Sequence, residues 1–378
     1  MELLCVLEPE ESPHTATWYA FVPSGESPDV RVGHTLTYIP DKSGKGKVII
    51  VGGANPNGSY SDAYVLELDR HEWDAPKWKG LLPRYEHASF VPVTTPTGLW
   101  LFGGADECGN RNCIQVLNFE TGEWRSPITN GTPPSPRTCH GSTAAVGNCL
   151  YVFGGGDKGA EPVQDPQLHA FDKATLRWSQ KSTEGKPPAP RHGHVMVAVG
   201  SKLFIHGGLA GDRFFNDMYT IDTAAVNMMW EKINMKGDIP DGRAAHSAVS
   251  HEKYVFIFGG LDATGALNTM YKYHIETQCW TLLEFDSSLP TKRLDHAMCI
   301  IPWKIRKAET DTPGTNEKLP AEENEECTSG NNLHPTSMNC SAIQSQTKSI
   351  VHLCLVFGGM DTQGEIFNDC FVTLLKGC

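Results

Sequence analysis

Three sequence markers that each recur six times predict an all-β protein, a six-bladed β-propeller. A Gly-Gly pair ends an apolar run at Gly52, Gly103, Gly154, Gly207, Gly259 and Gly358. An Arg-x-x-His element occurs at Arg31/His34, Arg84/His87, Arg137/His140, Arg191/His194, Arg243/His246 and Arg293/His296. A tryptophan follows the same count at Trp18, Trp73, Trp124, Trp178, Trp230 and Trp280. Each series has a period of about fifty residues, which is typical of propeller blades.

The unit from Arg243 to Trp280 shows how one blade is expected to form. Strand A follows His246, strands B and C are the runs 255–258 and 270–273, and strand D carries Trp280. Strand B is apolar throughout, which indicates that neighbouring blades cover both of its faces. The Gly-Gly pair lies where strand B turns toward strand C, and glycine there permits positive φ and a close approach of backbones.

The two ends of the chain are predicted to complete one blade together. Trp18 precedes the first Arg-x-x-His element, whereas the unit that begins at Arg293 has no tryptophan after its strand C. We therefore expect the segment near 18–22 to supply the outer strand of the last blade, so that residues 1–378 form a single domain without an exposed edge. An insertion at 304–349, between strands A and B of that blade, is rich in Glu, Thr, Ser, Asn and Pro, which predicts disorder.

Composition and charge disfavour several classes of protein. The formal net charge of -12 repels nucleic acid, and no apolar run reaches the length of a membrane-spanning helix. The N-terminus lacks the basic and apolar regions of a signal peptide. The twelve cysteines form no CxxC pair, and Cys149, Cys299 and Cys354 lie in apolar runs, as expected of buried thiols. These features predict a soluble, cytoplasmic protein with no direct membrane insertion.

No motif predicts catalysis, a metal or a cofactor. The Arg-x-x-His elements recur once per blade, whereas a catalytic site is singular, so we expect Arg and His to hold adjacent blades through buried hydrogen bonds. Residues 154–159 (GGGDKG) match a dinucleotide fingerprint, but the proline-containing segment after them cannot begin a helix. His192, His206 and Cys139 show no ligand spacing. His206 has two open interpretations, a satisfied core histidine or a polar lining of the channel.

The loops between strands B and C are the predicted binding surface. They share a face with the loops between strands D and A, and no two of them are alike in sequence. This face carries residue types that are enriched at binding hot spots, namely Tyr60, Tyr85, Arg111, Arg213, Phe214 and Phe215. For Phe214 and Phe215, contact with a partner and packing under their own loop both remain open.

The repeated unit resembles the kelch repeat, which combines an Arg-x-x-His start, a Gly-Gly pair after an apolar strand and a late tryptophan. The resemblance covers nearly the whole chain and implies a propeller that binds other proteins. Many kelch propellers recruit substrates to a ubiquitin ligase, and this is the alternative function. The short segment before Trp18 disfavours it, since such adaptors carry a helical dimerisation domain before the blades.

Particular segments resemble one group of kelch propellers more closely, the effectors of Rab-type small GTPases. They include residues 52–57 (GGANPN), 191–196 (RHGHVM) and 205–214 (IHGGLAGDRF). The resemblance implies a GTP-loaded Rab-type GTPase as partner, with other endosomal trafficking proteins. It also implies peripheral association with endosome membranes and a role in vesicle transport from late endosomes to the trans-Golgi network.

Overall fold

The computed structural model describes residues 4–41, 46–92, 98–138, 144–157, 161–305 and 349–375. Within these residues all regular structure is β-strand, and six four-stranded blades surround a central channel. The predicted six-bladed β-propeller is therefore confirmed. Strand A of each blade lines the channel, and strands B, C and D follow outward in antiparallel order.

The blades are numbered 1 to 6 in the chain order of their strands A, and the strands below are given in that blade order. Strands at the same position have similar lengths, except that strands A and B are longer in blade 6. Strand A spans Thr35–Ile39, Ala88–Phe90, Ala144–Val146, Val195–Val199, Ser247–His251 and Ala297–Ile305. Strand B spans Lys47–Val51, Gly98–Phe102, Cys149–Val152, Lys202–His206, Tyr254–Phe258 and Ser349–Phe357. Strand C spans Ala63–Glu67, Ile114–Asn118, Leu168–Asp172, Met218–Asp222, Met270–His274 and Cys370–Leu374. Strand D spans Glu72–Asp74, Glu123–Arg125, Arg177–Lys181, Met228–Lys232, Cys279–Leu282 and Trp18–Ala20.

The core lies between blades rather than at the centre of the ring. Every side chain of the strand Tyr254–Phe258 is buried, because blades 4 and 6 cover its two faces. On one side Val255 and Ile257 pack with Phe204 of blade 4, in a cluster that also buries Trp280. Full burial of a valine, isoleucine or phenylalanine side chain stabilises the fold by about 2 kcal/mol. Each repeated tryptophan thus joins two blades.

The last blade takes its outer strand from the beginning of the chain. Trp18–Ala20 pairs antiparallel with Cys370–Leu374, with Trp18 opposite Thr373. The Trp18 ring is fully buried, with ring centroids 5.1 Å from Phe258 and 5.5 Å from Phe285. Strands from both ends of the sequence therefore complete one sheet.

The insertion of the last blade is shorter than the expected range 304–349. Lys304 pairs with Ile350 and Ile305 pairs with Ser349, because strands A and B of this blade continue as a nine-residue ribbon. The predicted disorder concerns residues 306–348, which lie outside the described residues.

A second set of glycines, which we did not identify in the sequence, fixes the outer edge of the blades. The segment that leads into each of blades 1 to 5 runs parallel to strand D of that blade, as Ser24–Gly25, Thr183–Gly185 and Lys236–Gly237 do. At the crossing, a Cβ atom on the glycine would lie 2.2 to 2.8 Å from the carbonyl oxygen of the repeated tryptophan. Only glycine fits there, and the residues are Gly25, Gly80, Gly131, Gly185 and Gly237.

Candidate functional site

The B-to-C loops form a continuous surface on one face of the ring, which we call the loop face. In four blades the loop is a short hairpin, formed by Ala54–Asn55 with Gly58–Ser59, Ala105–Asp106 with Gly109–Asn110, Leu209–Ala210 with Arg213–Phe214, and Leu261–Asp262 with Gly265–Ala266. Neighbouring loops bond to each other, since Ser59 Oγ donates to Glu107 (2.8 Å) and Asn110 Nδ2 donates to the carbonyl of Gly156 (3.1 Å). This surface is held in place by the scaffold below it.

The repeated arginines anchor this face from within their own blades. Arg31 is fully buried, donates to the carbonyl of Gly52 (2.9 Å) and pairs with both carboxylate oxygens of Asp62 (2.7 and 3.1 Å). Arg191 with Asp217 and Arg293 with Asp369 repeat this arrangement. Elsewhere the partner is Gln115 for Arg84, Asp165 for Arg137 and Thr269 for Arg243. A buried charge must be paired in this way, and removal of its partner costs about 3 to 5 kcal/mol.

Adjacent blades are joined by the backbone of these arginines and by the histidines. The prediction that arginine side chains bridge blades is wrong, because their bonds stay within one blade. Their carbonyl oxygens make the bridge, by accepting from the second glycine of the preceding blade, as in Gly53 to Arg84 (2.9 Å) and Gly208 to Arg243 (2.8 Å). The described histidines of the repeat face the preceding blade. His87 Nε2 bonds to Thr35 Oγ1 (3.0 Å).

Other histidines pack against aromatic rings at the same junction. The ring centroids are 5.3 Å apart for His34 and Phe357, 6.5 Å for His194 and Phe153, and 5.3 Å for His296 and Phe258. His140 of blade 3 lies outside the described residues. Burial and, to a lesser extent, the charge of Arg31 lower the pKa of His34 to about 3. Such a histidine stays neutral at physiological pH and carries packing rather than proton transfer.

The candidate metal ligands do not converge. His206 is 1% exposed, bonds through Nδ1 to Nε2 of His246 (3.2 Å) and packs on Trp280, so it is a core histidine rather than a channel lining. His192 pairs through its backbone with Leu209, and Cys139 lies outside the described residues. Across the described part of the chain, no three His, Cys, Asp or Glu side chains are placed to share a metal ion.

The burial of the cysteines was predicted from their apolar surroundings in the sequence. Cys299 and Cys354 are buried and Cys149 is half-buried, and the cysteines within the described ranges are all unbridged. Burial raises the pKa of Cys354 to about 12, which keeps its thiol protonated and unreactive.

The central channel contains a cavity with a mostly neutral lining. Its cavity of about 420 Å³ is lined by small neutral side chains such as Thr37, Ser89, Ala198 and Ser250. Among the described residues that line it there is no Asp, Glu, Lys or Arg. The lining does include Tyr38, His296 and Cys299, which belong to the repeated strand A segments. The loops differ from blade to blade, so the loop face is the better candidate for function.

Three of the six candidate contact residues occupy one position of the repeat. The backbone amide of each bonds to the carbonyl of the second glycine of its own blade at 2.8 Å, and this holds for Tyr60, Arg111, Phe215 and also Phe367. Where the residue is aromatic, its ring covers the repeated arginine. The distance from guanidinium carbon to ring centroid is 4.2 Å for Arg31 and Tyr60, 4.0 Å for Arg191 and Phe215, and 4.6 Å for Arg293 and Phe367.

This position decides the role of Phe215. Phe215 is 5% exposed, so its ring offers no surface to a partner, and the packing interpretation describes it. Tyr60 keeps an accessible edge and is half-buried. Arg111 pairs with Asp106, and its side chain is 24% exposed. The constant spacing of seven residues after the second glycine, in blades 1, 2 and 4, is the sequence signal that identifies this position.

The other three candidates keep accessible surface. Arg213 is exposed, and its guanidinium lies 4.8 Å from the ring centroid of Phe215, which fixes the direction of the side chain. Phe214 is half-buried and pairs with Leu209 in the hairpin. Tyr85 is half-buried in the D-to-A loop that leads into blade 2, and burial together with nearby carboxylates raises its pKa. Blade 4 therefore presents the guanidinium of Arg213, positioned by Phe215, beside the partly accessible ring of Phe214.

Known proteins resemble this chain over its full length. The model of the KLHDC2/KLHL20/DRC7 Kelch-repeats domain matches residues 33–260 and 141–306. The Rab9 effector protein with kelch motifs of Homo sapiens is 55% identical over 377 residues, which cover 99% of this chain and 100% of that protein. The protein of the same name in Xenopus laevis is 53% identical over 380 residues, with full coverage of both chains.

A more distant relative shares only part of the propeller. Tip elongation aberrant protein 1 of Schizosaccharomyces pombe is 34% identical over 199 residues, which are 51% of this chain and 17% of that protein. In the part of the chain that the structure describes, no helix is long and apolar enough to cross a membrane.

Proposed function

The chain belongs to the family of Rab9 effector proteins with kelch motifs, and we propose that it is an effector that binds a Rab-type small GTPase in its GTP-loaded form. The observation that carries this proposal is the 55% identity over 377 residues, which includes all six blades and their loops. A shared fold alone would leave the function open. Because the aligned region includes the loop face, the similarity supports a shared partner class as well.

The loop face is the surface that we assign to the GTPase. GTP orders the switch segments of a small GTPase, which then present a defined surface to an effector. Arg213 and Phe214 of blade 4, with Tyr85 of blade 2, supply residue types that dominate binding energy. Because Phe215 holds Arg213 in place, little side-chain entropy is lost on binding.

The cellular role that follows is transport rather than catalysis. An effector of this kind takes part in vesicle transport from late endosomes to the trans-Golgi network, together with other endosomal trafficking proteins. It reaches the endosome membrane peripherally, through the GTPase. The full-length similarity to Rab9 effectors favours this function over that of a ubiquitin-ligase adaptor.

The test is a titration of the full chain with purified Rab9. One sample of Rab9 carries a non-hydrolysable GTP analogue and the other carries GDP, and binding is followed by calorimetry. We expect the GTP form to bind at least about tenfold more tightly, a difference of about 1.4 kcal/mol. Equal affinity for both forms, or no binding of either, would contradict the proposal. A Rab of another compartment, loaded in the same way, is the control for specificity.

A further inference from the structure

A polar cavity opens on the loop face between blades 1 and 6. Its volume is about 440 Å³, and its lining includes Asp29, Asn55, Asn57, Tyr60 and Asn368. Three of these side chains are carboxamides, one is a carboxylate and one is a phenol. The set matches the needs of a planar cation, since a carboxylate and amide oxygens accept N–H groups and an aromatic face attracts positive charge.

The phenol ring is held at the floor of the cavity. One face of Tyr60 covers the guanidinium of Arg31 at 4.2 Å, and Asp62 pairs with that guanidinium. Asn55 Nδ2 donates to the hydroxyl of Tyr60 (2.6 Å), and the same hydroxyl donates to the carbonyl of Val30 (3.3 Å). The ring is therefore fixed before any ligand arrives, which limits the entropy cost of binding.

Blade 4 shows what such a ring accommodates. Phe215 occupies the same repeat position as Tyr60, and its ring contacts two guanidiniums, with Arg191 at 4.0 Å and Arg213 at 4.8 Å. Arg213 is two residues before Phe215 in the chain. The corresponding residue of blade 1 is Gly58, whose missing Cβ would have only the carboxylate of Glu107 within 4 Å. Blade 1 thus has the ring and the space but no arginine of its own.

The carboxylate of Asp29 in this cavity has no cationic partner among the described residues. Arg31 beneath the ring is neutralised by Asp62 at 2.7 Å. Asp29, at the rim, is exposed and forms no ion pair with any residue that the structure describes. A cation that enters from solvent would find the carboxylate of Asp29 beside an aromatic ring.

We propose that this cavity binds an arginine side chain of a protein partner. The guanidinium stacks on Tyr60 in the manner of Arg213 on Phe215, and Asp29 accepts its N–H groups. The carboxamide oxygens of Asn57 and Asn368 accept the remaining donors. Arginine fits better than lysine, because the stack and the fork of hydrogen bonds both require a planar cation.

The test uses N-acetyl-arginine amide as the probe and NMR of the full chain as the readout. We expect saturable shifts of the side-chain amides of Asn55, Asn57 and Asn368. N-acetyl-citrulline amide has nearly the same shape without the charge, and we expect it to bind at least about fivefold more weakly. Asp29→Asn should weaken the binding of the arginine probe by about two- to fivefold, and added salt should reduce it.

The matched control is Asp241→Asn. Asp241 has the same place before the repeated arginine in blade 5 that Asp29 has in blade 1, since the carbonyls of Asp29 and Asp241 accept from Nε of Arg31 (3.0 Å) and Arg243 (3.3 Å). The control variant should bind the probe like the wild type. Equal binding of the citrulline probe, equal loss in the two variants, or no saturable shift at these amides would overturn the proposal. None of these outcomes depends on the GTPase, so this inference and the proposed function can fail separately.

Discussion

The backbone amide of Gly359, in the last blade, donates a hydrogen bond of 3.0 Å to the carbonyl of Arg31, in the first. The same bond joins every other pair of neighbours, with Arg84, Arg137, Arg191, Arg243 and Arg293 as the acceptors. The junction between the chain ends is thus built like the other junctions on the loop face. Within the last blade, the pairing of Trp18–Ala20 with Cys370–Leu374 adds the outer strand.

Removal of the Trp18 ring should loosen the contact between the fifth and sixth blades. Trp18 is fully buried between the fifth and sixth blades, and a tryptophan-to-alanine change in a core costs about 3 to 5 kcal/mol. Trp18→Ala should lower the melting temperature strongly and increase association through the exposed edge strand. Thermal unfolding and size-exclusion chromatography measure the two effects. Trp78→Ala, at a half-buried tryptophan outside the repeat, should cost less, and a loss equal to that of Trp18→Ala would count against this account.

The glycines beside strand D should be intolerant of any side chain. Gly237 has φ +76°, and a Cβ there would meet the carbonyl oxygen of Trp280 at 2.2 Å. Gly200 has φ +60° with nothing within 4 Å, so Gly200→Ala tests the backbone strain alone, about 1 to 2 kcal/mol. Gly237→Ala should lose clearly more in urea unfolding, because strand D must also move. Equal losses would mean that the contact with Trp280 is unimportant.

Stability should fall in mild acid because of the buried histidines. Burial lowers the pKa of His206 and His34 to about 3, whereas an unfolded histidine titrates near 6.5. Below pH 6.5 the unfolded chain binds protons that the folded chain does not. Each such histidine therefore lowers the free energy of unfolding by about 1 kcal/mol for each pH unit between 6.5 and 3.

His206→Phe isolates one of these groups. Phenylalanine stands at the matching place before the Gly-Gly pair in four other blades, at Phe102, Phe153, Phe258 and Phe357. Urea unfolding between pH 7.5 and 5 should show a smaller loss of stability in the variant than in the wild type. An unchanged pH dependence would show that His206 already takes up a proton in the folded state.

The blade 4 hairpin should carry part of the affinity for the GTPase. The double variant Arg213→Ala with Phe214→Ala should weaken binding to GTP-loaded Rab9 by about 2 kcal/mol, the range of a hot spot. Phe215 and Arg191 stay in place, so circular dichroism should show a folded protein. Arg125→Ala, at an exposed arginine on the outer strand of blade 2, is the control and should bind normally. A folded double variant with full affinity would place the contact elsewhere on the loop face.

The sequence by itself determined the number of blades and the position of each strand. Each blade packs against two neighbours in the same way, so the residues that make these contacts recur at a fixed period. The predicted strand at 255–258, for example, is observed as Tyr254–Phe258. The glycines that cross strand D recur in the same way, but the reason for them appears only when a Cβ is placed beside the tryptophan carbonyl.

The tertiary structure alone decided which loop residues are accessible. Phe214 and Phe215 are adjacent in a hairpin, yet Phe215 turns onto Arg191 while Phe214 keeps part of its surface. Tyr60 is a second example. The sequence places it in a loop unlike the other loops, and the structure shows that its ring covers Arg31. Exposure depends on what the neighbouring segment places over a side chain. The spacing of residues in the sequence predicts the contacts that every blade repeats. It does not predict which aromatic side chains the neighbouring loops leave accessible to solvent.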